Sequence, residues 1–207
     1  YFSQVRMAFE RASRALAERL PHPLATYVFP PPRFRPEDHR ADLDALKATT
    51  VAQPALGAAA VALHGLLSDC AVHPDMVGGH RYGEDVALWS AGSLDEETLY
   101  ALSEARGRCI TEGSDGEPGS MAAVGADHRR IAALIDGIDG VWIANINAPS
   151  QTVISGKRDS VDAAIEQLKQ VGIESRRLSV GCAFHSPLMT AARGQLAQII
   201  QNAALKA

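Results

Sequence analysis

The stretch Gly79-His80-Arg81-Tyr82-Gly83-Glu84 constrains this chain more than any other. Glycines stand two before and two after a central residue. That is the spacing of a nucleophile elbow, in which a strand ends and a helix begins almost at once. The flanking positions must be small because strand and helix approach closely there. Met76-Val77-Gly78 reads as the end of a short buried strand, and Glu84-Asp85-Val86-Ala87-Leu88-Trp89 as a helix start with acids in its first turn. A side chain at the tip of such a turn sits beside unpaired backbone N–H groups and the positive end of the helix dipole, where an oxyanion is stabilised. Covalent chemistry in this geometry needs a serine at the tip, and here the residue is Arg81. Two glycines at this spacing often occur by chance, so the motif alone leaves open both an elbow and an exposed arginine on an ordinary turn. A kept elbow predicts a strained backbone at Arg81, at a cost of about 1–3 kcal/mol.

Composition narrows the class. A chain of 207 residues can bury one substantial core and carry a small second unit. A hydrophobic share of 46% with 21% charged residues is that of an ordinary globular protein. The net charge of −4, without a long basic run, gives nucleic-acid binding no electrostatic support. The cysteines, Cys70, Cys109 and Cys182, are odd in number and widely spaced, with neither a zinc pattern nor a disulfide framework. They are expected to be reduced thiols in a cytoplasmic protein with no metal. The apolar run Ala55–Leu67 is short for a membrane span and contains Gly57 and His64, and no signal peptide is visible. The chain opens inside a helical pattern, without an initiator Met, and is expected to be a piece of something larger.

Periodicity predicts a helix over 3–20, a proline-rich ordered loop over 21–36, a short polar helix over 37–48 and an Ala-rich helix over 53–70. The elbow strand follows, then helices to Ala91 and over 95–112. The Gly, Ser, Asp, Glu and Pro run at Gly113–Gly119 marks a boundary. Beyond it the order is strand (120–124), helix (127–138), strand (141–146), strand (151–155), helix (160–171), strand (174–180), the βαββαβ of a ferredoxin-like unit. Asn147-Ala148-Pro149-Ser150 is the hairpin turn, and the chain returns to a last helix over 188–205. The expected domains are 1–117 with 181–207, an incomplete α/β hydrolase-like core with a parallel sheet and a nucleophile elbow, and 118–180, the ferredoxin-like subdomain.

Several segments together carry a family likeness. Thr50-Val51-Ala52-Gln53-Pro54-Ala55-Leu56, Gly79–Glu84, Ser103-Glu104-Ala105-Arg106-Gly107 and Cys182-Ala183-Phe184-His185-Ser186-Pro187 stand in one order. Asn145-Ile146-Asn147-Ala148-Pro149 and Val153-Ile154-Ser155-Gly156 fall between the last two. In these the chain resembles the acyltransferase domain of polyketide and fatty acid synthases, the malonyl-CoA:acyl carrier protein transacylase family. It departs from that family's G-H-S-x-G-E at Arg81 and from its H-A-F-H-S-P at Cys182. Tyr82 and the Phe29-Pro30-Pro31-Pro32 segment are similar to the enediyne and polyunsaturated fatty acid synthase subgroup.

The resemblance implies ping-pong transfer. A serine takes malonyl from coenzyme A as an ester and passes it to the phosphopantetheine thiol of an acyl carrier protein. It implies His185 as the base, the Tyr82 backbone N–H as half of the oxyanion hole, and Arg106 as the receptor of the free malonyl carboxylate. Gln53, His80 and Phe184 complete the implied substrate site, and Phe184 points to malonyl rather than methylmalonyl. No cofactor beyond the coenzyme A thioester and the carrier's phosphopantetheine is implied, and the partners would be the carrier protein and neighbouring domains such as a ketosynthase. Read locally, Arg106 is either a solvated arginine or a carboxylate receptor. Its helical neighbours Leu102, Ser103, Cys109 and Ile110 include no acid, and that absence together with the family resemblance favours the receptor. Cys182 lies off the elbow and lacks oxyanion donors, a poor substitute nucleophile. The resemblance also places the family's G-Q-G strand before Tyr1 and the residue that orients the histidine beyond Ala207. With Arg81 at the serine position, this chain is expected to be inactive in transfer. The alternatives are a non-catalytic structural or carrier-docking module and an unrelated serine-hydrolase-like domain.

Overall fold

Two compact units make up the chain, one from Tyr1–Arg108 and Leu196–Ala207, the other from Cys109–Gln195. The computed structural model describes residues 2–113, 119–178, 180, 182–203 and 205–206. Most of the expected boundary at Gly113–Gly119, and Gly181, therefore lie outside the described residues. The second unit takes in more than 118–180. Gly113 packs so closely on Ala192 that a Cβ there would lie 2.7 Å from the Ala192 nitrogen, and Gly119 (φ +71°) is pressed against Ala183.

The first unit is helical among its described residues. Helix α1 (Ser3–Ala15) repeats apolar residues at helical spacing and buries Ala8, Phe9 and Ala12. It packs on α4 (Thr49–Asp69), whose inward face of Val51, Ala55, Ala58, Val61 and Ala62 consists mostly of small side chains that let the two backbones approach. Leu16, Leu20, Leu24, Leu99 and Tyr100 complete this core. Helix α1 ends at Ala15, five residues short of the expected end, because the chain passes through turns toward Pro21. The proline-rich loop holds a one-turn helix, α2 (Leu24–Val28), which starts behind Pro23 and packs Leu24 inward. Phe9 meets Phe29 edge-on with ring centroids 5.0 Å apart. Helix α3 (Pro36–Lys47) has Pro at its start, Glu37 and Asp38 in its first turn and Lys47 in its last, each where the helix dipole favours it. Helix α4 contains Pro54, one turn in rather than at its start. By length and composition alone α4 could cross a membrane, a length the apolar run by itself did not suggest. Its inward face is spent on α1, while Leu56, Leu63 and Leu67 are exposed.

No strand is seen at the expected Met76–Gly78 among the described residues. Residues 71–80 are all exposed and carry no strand. A strand exists only when a neighbour takes up its N–H and C=O groups, and none of the described residues pairs with this segment. No parallel pair of strands occurs among the described residues, so the parallel sheet of a hydrolase-like core is not seen in them. After the turn come α5 (Gly83–Ser90) and α6 (Glu96–Glu112).

The second unit is the expected ferredoxin-like arrangement. Strands β1 (Ser120–Val124), β2 (Val141–Ala148), β3 (Gln151–Gly156) and β4 (Ser175–Arg177) form one sheet in the order β2-β3-β1-β4. Its pairs are antiparallel. Helices α7 (His128–Ile135) and α8 (Arg158–Gln170) contribute Ile131, Ile135, Val161, Ala164 and Leu168 to a core with Ala122, Val124, Val141 and Ile154. The alternation of Ala122 and Val124 places them on one face, and Ile154 opposite Ala122 continues it. Asp127 caps α7 by accepting from the Arg129 N–H at 2.8 Å. The hairpin closes on Pro149-Ser150, with Ala148 paired to Gln151 and two register shifts in β2. Strand β4 is three residues long, shorter than expected. A 3₁₀ turn at Pro187–Met189 leads into α9 (Thr190–Gln201).

Candidate active site

Arg81 sits at φ +59°, in the left-handed region that non-glycine residues rarely occupy. Its flanking glycine shows why the turn needs one. A Cβ on Gly79 would collide with the backbone of Gly83 and Glu84, so the chain before the turn crosses directly over the start of α5. The first turn of α5 closes by short-range bonds, with Gly83, Glu84 and Asp85 N–H donating to the carbonyls of His80, Arg81 and Tyr82, each at 3.1 Å. The Tyr82 N–H has no acceptor among the described residues. The tip of the turn is therefore a positive-φ residue beside a free backbone donor at a helix start carrying Glu84 and Asp85.

The Tyr82 side chain anchors the turn. Its ring lies over Gly57 of α4, where a Cβ would collide with the phenol oxygen. That oxygen is 2.7 Å from Ser103 Oγ on α6. Because Ser103 Oγ donates to the Leu99 carbonyl at 2.5 Å, Tyr82 is the donor in the first bond. Burial pushes the Tyr82 phenol up to about 12, against the pull of Ser103. This hydroxyl is thus a packed structural donor and no nucleophile.

One turn along both helices lies a second link. Arg106 Nη1 donates to Asp85 Oδ2 at 2.6 Å, with both side chains about a quarter exposed. The helical neighbours of Arg106 on α6 include no acid, but the fold supplies one from elsewhere. Its partner comes from α5, 21 residues earlier. Burial raises the Asp85 carboxyl above its ordinary range, outweighing the Arg106 charge that lowers it. Gly107 lets α6 approach the first turn of α4, since a Cβ there would lie 2.6 Å from the Thr49 carbonyl oxygen.

A mostly apolar cavity of about 590 Å³ borders the turn, walled by Leu56, His64, Val77, His80, Arg81 and Tyr82 among others. His64 stacks edge-on against Trp89 with ring centroids 5.0 Å apart. Gln53 lies on α4 with its Oε1 buried and unpartnered among the described residues. Gln53, His80, Arg81, Tyr82 and Arg106 belong to the first unit, Phe184 and His185 to the second. Phe184 is half-buried, and His185 is exposed at φ +61°. Their loop is pinned by Ser186 Oγ donating to the Ala183 carbonyl at 2.7 Å. Cys182 is buried there, which pushes its thiol up and makes it a poorer nucleophile. Asp85 and Ser103 are the site residues that sequence reading missed. The acids after the turn signalled only a helix start, and nothing local marked their partners.

A glycine-flanked positive-φ turn on a helical unit, followed by an antiparallel βαββαβ unit, defines a class. Residues 5–207 match the family described as acyl transferase domain, and the chain belongs to that family. It is 41% identical over 159 residues to a type I polyketide synthase of phenolphthiocerol synthesis from Mycobacterium marinum, covering 77% of this chain and 7% of that protein. It is 33% identical over 203 residues to one of the subunits of the polyunsaturated fatty acid synthase of Thraustochytrium, covering 96% of this chain and again 7% of the relative. Among solved structures, the malonyl CoA-acyl carrier protein transacylase of Coxiella burnetii is similar with a TM-score of 0.85 at 32% identity, over 99% of this chain and 62% of that one. The chain thus spans less than a tenth of these curated relatives and under two thirds of the solved enzyme.

Proposed function

We propose that this chain is a synthase acyltransferase domain built for a malonyl-type acyl group, with Arg81 at the nucleophile position, and that in this form it binds its thioester without becoming acylated. The observation that carries the reading is the backbone at Arg81. Positive φ at the tip, with Gly79 crossing over Gly83, supports a nucleophile elbow. The reading assigns Met76–Gly78, exposed and without strand pairing among the described residues, to the end of a parallel strand of a hydrolase-like core.

In the reaction of the family, a serine oxygen at the tip attacks the thioester carbonyl while His185 takes its proton. The Tyr82 N–H receives the charge that develops on the carbonyl oxygen. His185 returns the proton to the departing coenzyme A thiol, and the carrier's phosphopantetheine thiol repeats the cycle in reverse. Arg106 receives the free carboxylate, Phe184 limits the pocket to unbranched malonyl, and Gln53 and His80 shape the remaining wall. Arg81 cannot open this sequence, because a guanidinium stays protonated and its lone pairs are delocalised. We place the domain in the cytoplasm, beside a ketosynthase and an acyl carrier protein. Tyr82 and the Phe29–Pro32 segment support the enediyne or polyunsaturated fatty acid subgroup.

Arg81 also favours a second reading, a carrier-docking module that keeps the fold without transfer. Incubation with malonyl-CoA followed by intact mass tests the first. The expected spectrum is unchanged, and a gain of one malonyl group contradicts it.

A further inference from the structure

Arg106 already holds a carboxylate, and it belongs to the protein. We propose that Asp85 is a specificity-determining residue that occupies Arg106 as an internal competitor, so that an acyl group with a free carboxylate enters only by displacing it. The inference rests on the reading of this site as an acyl pocket and deepens it.

Four observations support it. The contact is short, 2.6 Å, and charge-assisted. It is single-pronged. Nη1 alone of the guanidinium bonds Asp85, and no other Arg106 bond is made among the described residues, whereas an incoming carboxylate can take two parallel N–H groups. Both side chains are about a quarter exposed, so a ligand can reach the pair. Asp85 stands four residues after Arg81, on the first turn of α5, and its partner is the guanidinium that the acyl-pocket reading makes the carboxylate receptor.

The chemistry follows from exchange. A neutral acyl chain such as acetyl needs nothing from Arg106 and leaves the pair intact. A malonyl carboxylate gains the bidentate contact and must free Asp85 from a partly buried position, where an unpaired carboxylate is costly. Burial raises the Asp85 carboxyl even with Arg106 beside it, so losing that partner disfavours the carboxylate further. The net effect is a site that discriminates less strongly in favour of diacids than a free arginine would.

Calorimetric titration of the whole chain with malonyl-CoA and with acetyl-CoA tests this, in the parent, Asp85→Asn, Asp85→Glu, Arg106→Ala and the Asp85→Asn/Arg106→Ala pair. The expected result is malonyl-CoA binding tightened about tenfold or more in Asp85→Asn. Acetyl-CoA binding changes less than about twofold. Asp85→Glu, which keeps the charge, stays close to the parent, and the gain disappears when Arg106 is also removed. Malonyl-CoA binding that is unchanged or weaker in Asp85→Asn, with acetyl-CoA still bound, overturns the inference and makes Asp85 a residue that merely positions Arg106. Binding of neither thioester by any variant overturns the acyl-pocket reading itself, and the inference with it. Circular dichroism of each variant before titration confirms that lost binding is not lost folding, and Asp85→Ala, which also removes the carboxylate, takes the place of Asp85→Asn if that variant does not fold.

Discussion

The turn at Arg81 is held from outside by residues that perform no chemistry. Gly57 exists as glycine to receive the Tyr82 hydroxyl, and Gly79 to receive the backbone of α5. Replacing Gly57 with Ala should destabilise the first unit by about 1–3 kcal/mol through overpacking. Adding Tyr82→Phe, which deletes the colliding oxygen, should recover much of the loss. Urea midpoints of the two single variants and the pair measure this, and purely additive losses would show that the hydroxyl is not the atom in conflict. Arg81 itself stores strain. Arg81→Gly, free to adopt φ +59°, should raise stability by about 1 kcal/mol, and an unchanged midpoint would place no strain at the tip. The charge on Arg106 shows the limit of local reading. Its neighbours at helical spacing are legible in the sequence, but Asp85 reaches it only because the fold brings the first turn of α5 within side-chain reach of α6, where Tyr82 and Ser103 make a second link.

Elements whose stabilisation is local, or repeats along the chain, were the legible ones. The βαββαβ order, the strand at 120–124 and the helix behind Pro36 can be read because alternation, helical spacing and caps are written in neighbouring residues. The Met76–Gly78 strand could not be checked in the same way, because a strand is a property of two segments and no described residue pairs with this one. The short helix α2 was hidden by the prolines around it, although Pro23 in front of Leu24 is itself a start signal. The elements of the second unit depend on α8, whose Leu168 is fully buried against the sheet. Leu168→Ala should cost about 2–5 kcal/mol, and thermal unfolding followed by near- and far-ultraviolet circular dichroism reads that loss. A cost below about 1 kcal/mol would mean that α8 is not anchored there.

Across the whole molecule, two buried phenols in the first unit tie stability to alkaline pH. Burial raises Tyr82 to about 12 and raises Tyr100 as well. A folded pKa above the ordinary value of about 10 means that below pH 10 both states carry the proton and nothing is lost. Between about 10 and 12 the unfolded chain ionises first and stability falls. Tyr82→Phe should flatten that fall relative to the parent, as urea midpoints taken across this range would show, and identical slopes would mean that Tyr82 ionises as freely as in the unfolded chain. In the reading proposed above, an acyl pocket is kept while the atom that would carry the acyl group is missing. Intact-mass spectrometry of the parent and Arg81→Ser, each incubated with malonyl-CoA and then mapped by peptide, tests it most directly. No gain is expected for the parent, and one malonyl group is expected on residue 81 of the variant. A malonylated parent, or an Arg81→Ser chain that stays unlabelled or is labelled elsewhere, would contradict it.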